Sequence, residues 1–136
     1  DNMINSLISF VSTLIYTKVL SEIYRTQLNP TISYLHEPGT RRFSLSLDIA
    51  EIFKPLIGDR LIFSLLNRNQ ITEESFTKKE ASRLIVSELE NRMKQTVMHK
   101  DLGKQVSYQY LLRLECYKLI KHLLGEKTYE GFKIWW

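Results

Sequence analysis

The chain has 136 residues, 43% of them hydrophobic and 25% charged, which suits one globular domain with a sizeable core and excludes a disordered polymer. Nineteen lysines and arginines against fifteen acids leave a formal charge of +4, compatible with a polyanionic partner without requiring one. The single cysteine, Cys116, rules out a disulfide framework within the chain, and its apolar-periodic position marks it as core; a reducing, cytoplasmic setting is expected.

Apolar residues at Ile4, Leu7, Ile8, Val11, Leu14, Ile15, Val19 and Leu20 recur three and four apart, so a helix is expected over about residues 3–27. Asn29-Pro30 ends it, because proline disfavours helical angles in the residue before it. Asn5, Ser6, Ser9, Ser12 and Thr13 interrupt its apolar run, so neither a membrane span nor a signal peptide is expected there. The chain opens at Asp1 directly on this helical pattern and is expected to be part of something longer.

"NPTISYLHEPGTRR" holds two prolines and a glycine and keeps no period, so it reads as a long loop, a kind that is often functional. Ser44 is expected to cap the next helix, whose Leu45, Ile49 and Phe53 share one face. Pro55 interrupts that run, and "PLIGDRLIFSLLNRN" should resume as a second buried helix with the proline in its first turn. Thr77 and Glu80 have capping-box spacing, which predicts a helix from there to about His99. "KDLGKQV" breaks it. Ser107 then starts a final helix through Tyr108, Leu111, Leu112, Cys116, Leu119, Ile120 and Leu123, with Gly125 as its C-terminal cap. The tail "EKTYEGFKIWW" carries much aromatic surface. No alternating stretch or internal repeat emerges, so a single all-α, multi-helix domain over residues 1–136 is expected.

Asp48 and Glu51 are three apart, which on a helix sets both carboxylates on one face, close enough to serve one site. Their apolar neighbours suggest a mostly buried helix, where paired acids call for a cation or a cluster of donors. His36 joins them if the loop folds back. An imidazole with carboxylates suits Mg²⁺ or Mn²⁺ better than structural zinc, and Arg41 and Arg42 beside such an ion would suit phosphodiester chemistry. The acids equally serve as caps, as partners for arginine or as a solvated face, and the arginines as plain surface. A second reading is a non-enzymatic basic module that binds DNA or protein through Lys78, Lys79, Arg83, Arg92 and Lys94 along one helix. His99 and His122 stand apart from the motif and read as helix-end or surface residues. Trp135 and Trp136 suit stacking on bases or filling a groove in the domain.

"INSLISF", "LNPTISYLHEPGTRRFSLSLDIAEIFKPLIGDRLIF" and "GEKTYEGFKIWW" together resemble the helical C-terminal domain of the CRISPR-associated integrase and endonuclease family of spacer acquisition, Cas1. The ordered series N-P, L-H, R, L-D-x-x-E, F-K-P and D-R is the most specific part, and the resemblance covers essentially the whole chain. It implies a metal-dependent DNA enzyme of antiviral defence that inserts foreign DNA spacers at CRISPR repeats, using Mg²⁺ or Mn²⁺. It further implies a homodimer working with Cas2, the second adaptation protein, and no membrane. Carried onto this sequence, His36 and Glu51 match the metal ligands and Asp48 the neighbouring acid, an auxiliary ligand. Arg41, Arg42, Lys54 and Arg60 fall at basic positions expected to contact DNA or to pair with the acids. Asn5 and Ser9 match an N-x-L-x-S pattern expected to support packing. The family also has an N-terminal β-rich domain and an upstream metal-binding glutamate, so this chain is expected to be an incomplete catalytic domain.

Overall fold

Apolar residues every fourth position give α1 (Asn2–Thr26) one buried stripe, Leu7, Val11, Ile15, Val19 and Ile23. The computed structural model describes residues 2–26, 40–123 and 132, with backbone alone at residues 26, 40–46, 120 and 123. Hydroxyls on the outer side of α1 close onto its own backbone, Thr13 Oγ1 donating to the Ser9 carbonyl and Thr17 Oγ1 to the Thr13 carbonyl. By length and composition alone α1 is apolar enough to cross a membrane, a test that a core helix also passes. In this fold its stripe packs on protein.

Three consecutive helical segments form one rod: α2 (Thr40–Phe53), a π-helical segment (Lys54–Gly58) and α3 (Asp59–Asn67). Pro55, expected to separate two helices, does not. A proline has no N–H to donate and its ring crowds the carbonyl four residues back; the wider π turn, with the Asp59 N–H donating to the Lys54 carbonyl, accommodates both and carries the helix on. The expected Ser44 cap also fails, because α2 already begins at Thr40. Gly58 lies buried where the rod meets α1: a Cβ there would come to 3.0 Å from Ile15 Cδ1 and 3.5 Å from Val11 Cγ1. Only glycine allows so close an approach without displacing the isoleucine tip.

A single turn, α4 (Glu73–Phe76), precedes α5 (Lys79–Met93). The capping box belongs to Thr72 and Ser75 rather than to Thr77 and Glu80: Ser75 N–H donates to Thr72 Oγ1 at 3.2 Å and Thr72 N–H to Ser75 Oγ at 2.8 Å. Thr77 Oγ1 donates instead to the Glu74 carbonyl, and Lys78 begins α5 without a side-chain cap.

The helix expected to reach His99 stops at Met93 and gives way to a hairpin, β1 (Thr96–His99) and β2 (Lys104–Ser107). The strands are antiparallel, pairing Val97 with Val106 and His99 with Lys104. Gly103, at φ +64°, occupies the left-handed region that the turn requires, and its N–H donates to the His99 carbonyl at 2.8 Å. The final helix, α6 (Tyr108–Leu123), starts where expected, with Ser107 Oγ accepting from the Tyr110 N–H at 3.0 Å. The expected Gly125 cap lies outside the described residues.

Among the described residues the all-α expectation therefore holds apart from this hairpin. α1 packs along α2, the π segment and α6. Ile15, Val19, Phe53, Ile57, Met93 and Leu112, drawn from four helices and the π segment, meet around a void of only about 10 Å³. Cys116 is fully buried in this core, as expected.

Candidate functional site

The inward face of α2 is apolar: Ile49, Ala50 and Phe53 are at most 1% exposed. That anchoring turns Asp48 and Glu51 outward, so the acids expected on a mostly buried helix are instead solvent-exposed. Residues three apart on an α-helix face the same side, and the pair therefore sits one turn apart on the open surface of the rod. Lys54, three residues on and at the first position of the π segment, donates to Glu51 Oε1 at 2.8 Å. With side chains 37% and 63% exposed, this pair contributes little stability, and its ammonium can exchange for another cation.

Arg41 and Arg42 lie in the first turn of α2, with only their backbone described, and His36 and the loop before it lie outside the described residues. Among the described residues no group of three potential ligands converges. Two exposed carboxylates one turn apart would supply hard oxygen donors and leave room for the waters that Mg²⁺ or Mn²⁺ retains, whereas structural zinc would call for thiolates or more imidazoles. Arg60 is exposed on α3. Asn5 and Ser9 are exposed on α1, flanking the fully buried Leu7.

The structure also reveals buried acids that sequence reasoning misses. Glu22, 3% exposed, holds α1 to α6: its Oε1 accepts from Arg25 and Gln109, both at 3.3 Å, and its Oε2 lies 3.6 Å from Arg113 Nε. Glu115, fully buried on α6, accepts the Phe132 backbone N–H at 2.8 Å and pairs with Lys118 at 2.8 Å. Both acids sit next to apolar positions of the helical period, a signal legible in the sequence. Burial pushes the Cys116 thiol up to about 12, with the charges of Glu22 and Glu115 adding to the effect, so it is a neutral packing group rather than a nucleophile. His99, expected at a helix end or on the surface, is 6% exposed: β1 alternation turns it inward with Val97, its Nδ1 accepts the Leu102 N–H at 3.3 Å, and its ring lies 5.7 Å from Phe132. His122 is half-buried in the last turn of α6, and Trp135 and Trp136 lie outside the described residues.

The profile of the family described as CRISPR associated protein Cas1 matches residues 1–100. The CRISPR-associated endonuclease Cas1 of Fusobacterium nucleatum is 71% identical over all of this chain, which covers 43% of that protein. Its counterpart from Methanocaldococcus jannaschii is 46% identical over 98% of the chain and 44% of the relative. Among solved structures, a Cas1 protein from Thermotoga maritima superposes with a TM-score of 0.74 at 49% identity, over 90% of this chain and 40% of that one. A casposase bound to its integration product shares the fold, with a TM-score of 0.69 at 23% identity over 96% of this chain and 42% of that one. The chain thus spans less than half the length of the curated relatives it matches. With most of its length matched by one family and close relatives bearing that name, the chain belongs to the CRISPR-associated Cas1 family.

Proposed function

We propose that the protein is a metal-dependent DNA endonuclease and integrase of CRISPR adaptation, with its reacting phosphodiester held over the outward face of α2. The observation that carries this reading is the exposed Asp48 and Glu51 pair, one helical turn apart on a rod fixed from behind by Ile49, Ala50 and Phe53. Asp48 and Glu51, with His36, would hold Mg²⁺ or Mn²⁺. When bound, such an ion polarises a phosphoryl oxygen and eases deprotonation of the attacking hydroxyl.

In the reaction a free 3′-hydroxyl of the foreign DNA attacks a phosphorus of the CRISPR repeat. One P–O bond forms as another breaks, and the proton leaves the attacking oxygen for the departing strand's oxygen or for water. Lys54 neutralises Glu51 while DNA is absent and is freed to meet a phosphate when the strand arrives. Arg41, Arg42 and Arg60 hold further phosphates, so affinity for DNA should fall steeply with salt. A homodimer, Cas2 as partner and a cytoplasmic setting complete the proposal, supported by membership of the family.

A titration with Mn²⁺, read by its electron paramagnetic resonance signal, tests the site. Asp48→Asn and Glu51→Gln should each weaken the binding at least about tenfold without lowering thermal stability, since both side chains are exposed. Unchanged Mn²⁺ affinity in both variants would remove the acids from the site.

A further inference from the structure

Asp48, Glu51 and Lys54 follow one another at three-residue spacing, so one face of the rod carries two carboxylates and then an ammonium. Phe53, Leu56, Ile57 and Gly58 are buried on either side of Lys54, which fixes its backbone while its side chain stays 37% exposed. The ammonium stands 2.8 Å from Glu51 Oε1. Among the described residues Asp48 has no ion-pair partner. The face therefore holds two negative charges against one positive, and the lysine satisfies only one of the acids.

What displaces a tethered cation from an acid site depends on charge. A free Na⁺ or K⁺ exchanges one unit charge for another and loses the charged hydrogen bond that Lys54 makes; it also competes with a group whose tether gives it a high effective concentration. A divalent ion brings twice the charge and attracts both carboxylates at once. The exchange costs the fold little, because so exposed a pair contributes little to stability and water rehydrates the ammonium. Lysine suits this part better than arginine. A compact charge on a flexible stem swings away, whereas a guanidinium grips a carboxylate with two N–H groups.

We propose that Lys54 determines the ion specificity of the acid site, as a resident monovalent cation that keeps free monovalent ions off Asp48 and Glu51 and gives way to a divalent one. This role rests on the reading of those acids as metal ligands. Lys54 also sets the affinity. It must be displaced, and once displaced it remains tethered near the bound ion and repels it, so divalent binding is weaker than the bare acid pair would give. The residue thus acts against tight binding and in favour of selectivity.

The test is a Mn²⁺ titration of the protein read by electron paramagnetic resonance, at about 50 and about 200 mM KCl. At the lower salt Lys54→Gln should tighten Mn²⁺ binding about tenfold, and Lys54→Arg, which keeps the charge, should bind Mn²⁺ no more tightly than the parent. Raising the salt should weaken Mn²⁺ binding by a factor at least about twice as large in Lys54→Gln as in the parent, because K⁺ then meets two uncompensated charges. Unchanged or weaker Mn²⁺ binding in Lys54→Gln overturns the proposal, as does an equal response to salt. Equal tightening in Lys54→Arg also overturns it, assigning the effect to the shape of the side chain rather than its charge. Mn²⁺ binding that Asp48→Asn and Glu51→Gln leave unaltered is a separate result, which removes the acid site itself and this role with it.

Discussion

Replacing Glu22 by glutamine isolates the charge that ties α1 to α6. The carboxylate is 3% exposed, and its contacts are two hydrogen bonds at 3.3 Å and one ion pair at 3.6 Å. Glutamine keeps the volume and one carbonyl acceptor and removes the charge. Those contacts are longer than the roughly 2.9–3.0 Å typical of N–H···O bonds, so each is weaker than an ideal charged bond. Arg25 and Arg113 are 65% and 40% exposed, so water takes up both guanidinium groups when the carboxylate goes. The cost therefore falls below the roughly 3–5 kcal/mol of breaking a fully buried pair, at about 1–2 kcal/mol. Urea unfolding followed by far-UV circular dichroism should show a midpoint lower by about 0.5–1 M with an unchanged slope. Because the Glu22 charge also raises the Cys116 thiol, the variant should lower that thiol's pKa below its value of about 12. An unchanged or higher midpoint together with an unaltered thiol titration would refute the argument.

Gly58→Ala should lie within about 1 kcal/mol of the parent, since the helical preference of alanine offsets a 3.0 Å contact to the mobile tip of Ile15; Gly58→Val, branched at the same spot, should cost about 1–3 kcal/mol in the same unfolding assay. Cys116 has its folded-state pKa raised from 9.0 to about 12, so the stability it contributes is complete below pH 9 and is lost as pH rises from there toward 12. Cys116→Ala should flatten this alkaline decline in a pH series of melting temperatures, and the native thiol should resist alkylation at neutral pH. Glu115→Ala should orphan the Phe132 N–H, destabilise by about 1–3 kcal/mol and speed hydrogen exchange at that amide.

Sequence periodicity locates α1 and the start of α6 because a four-residue apolar repeat and the Ser107 cap are local signals that packing does not override. It misjudges Pro55, since the local rule for proline predicts a break and nothing in the pattern announces a turn of i to i+5. The hairpin escapes it because each strand is four residues long and only Val97, His99 and Val106 face inward, too short an alternation to stand against the helical run before it. The setting of Asp48 and Glu51 is illegible for a related reason. Apolar residues adjacent in sequence, such as Ile49 and Ala50, point away from the acids and bury the opposite face.

The central claim, that the outward face of α2 carries a metal-dependent site for DNA, is tested most directly by cleavage and strand-transfer assays in Mn²⁺ on the complete protein bearing Glu51→Gln. Glu51 is exposed, and its Lys54 contact adds little to stability, so the variant should fold like the parent. The account predicts activity lower by at least about a hundredfold with melting temperature unchanged; activity near that of the parent, at equal stability, would contradict it.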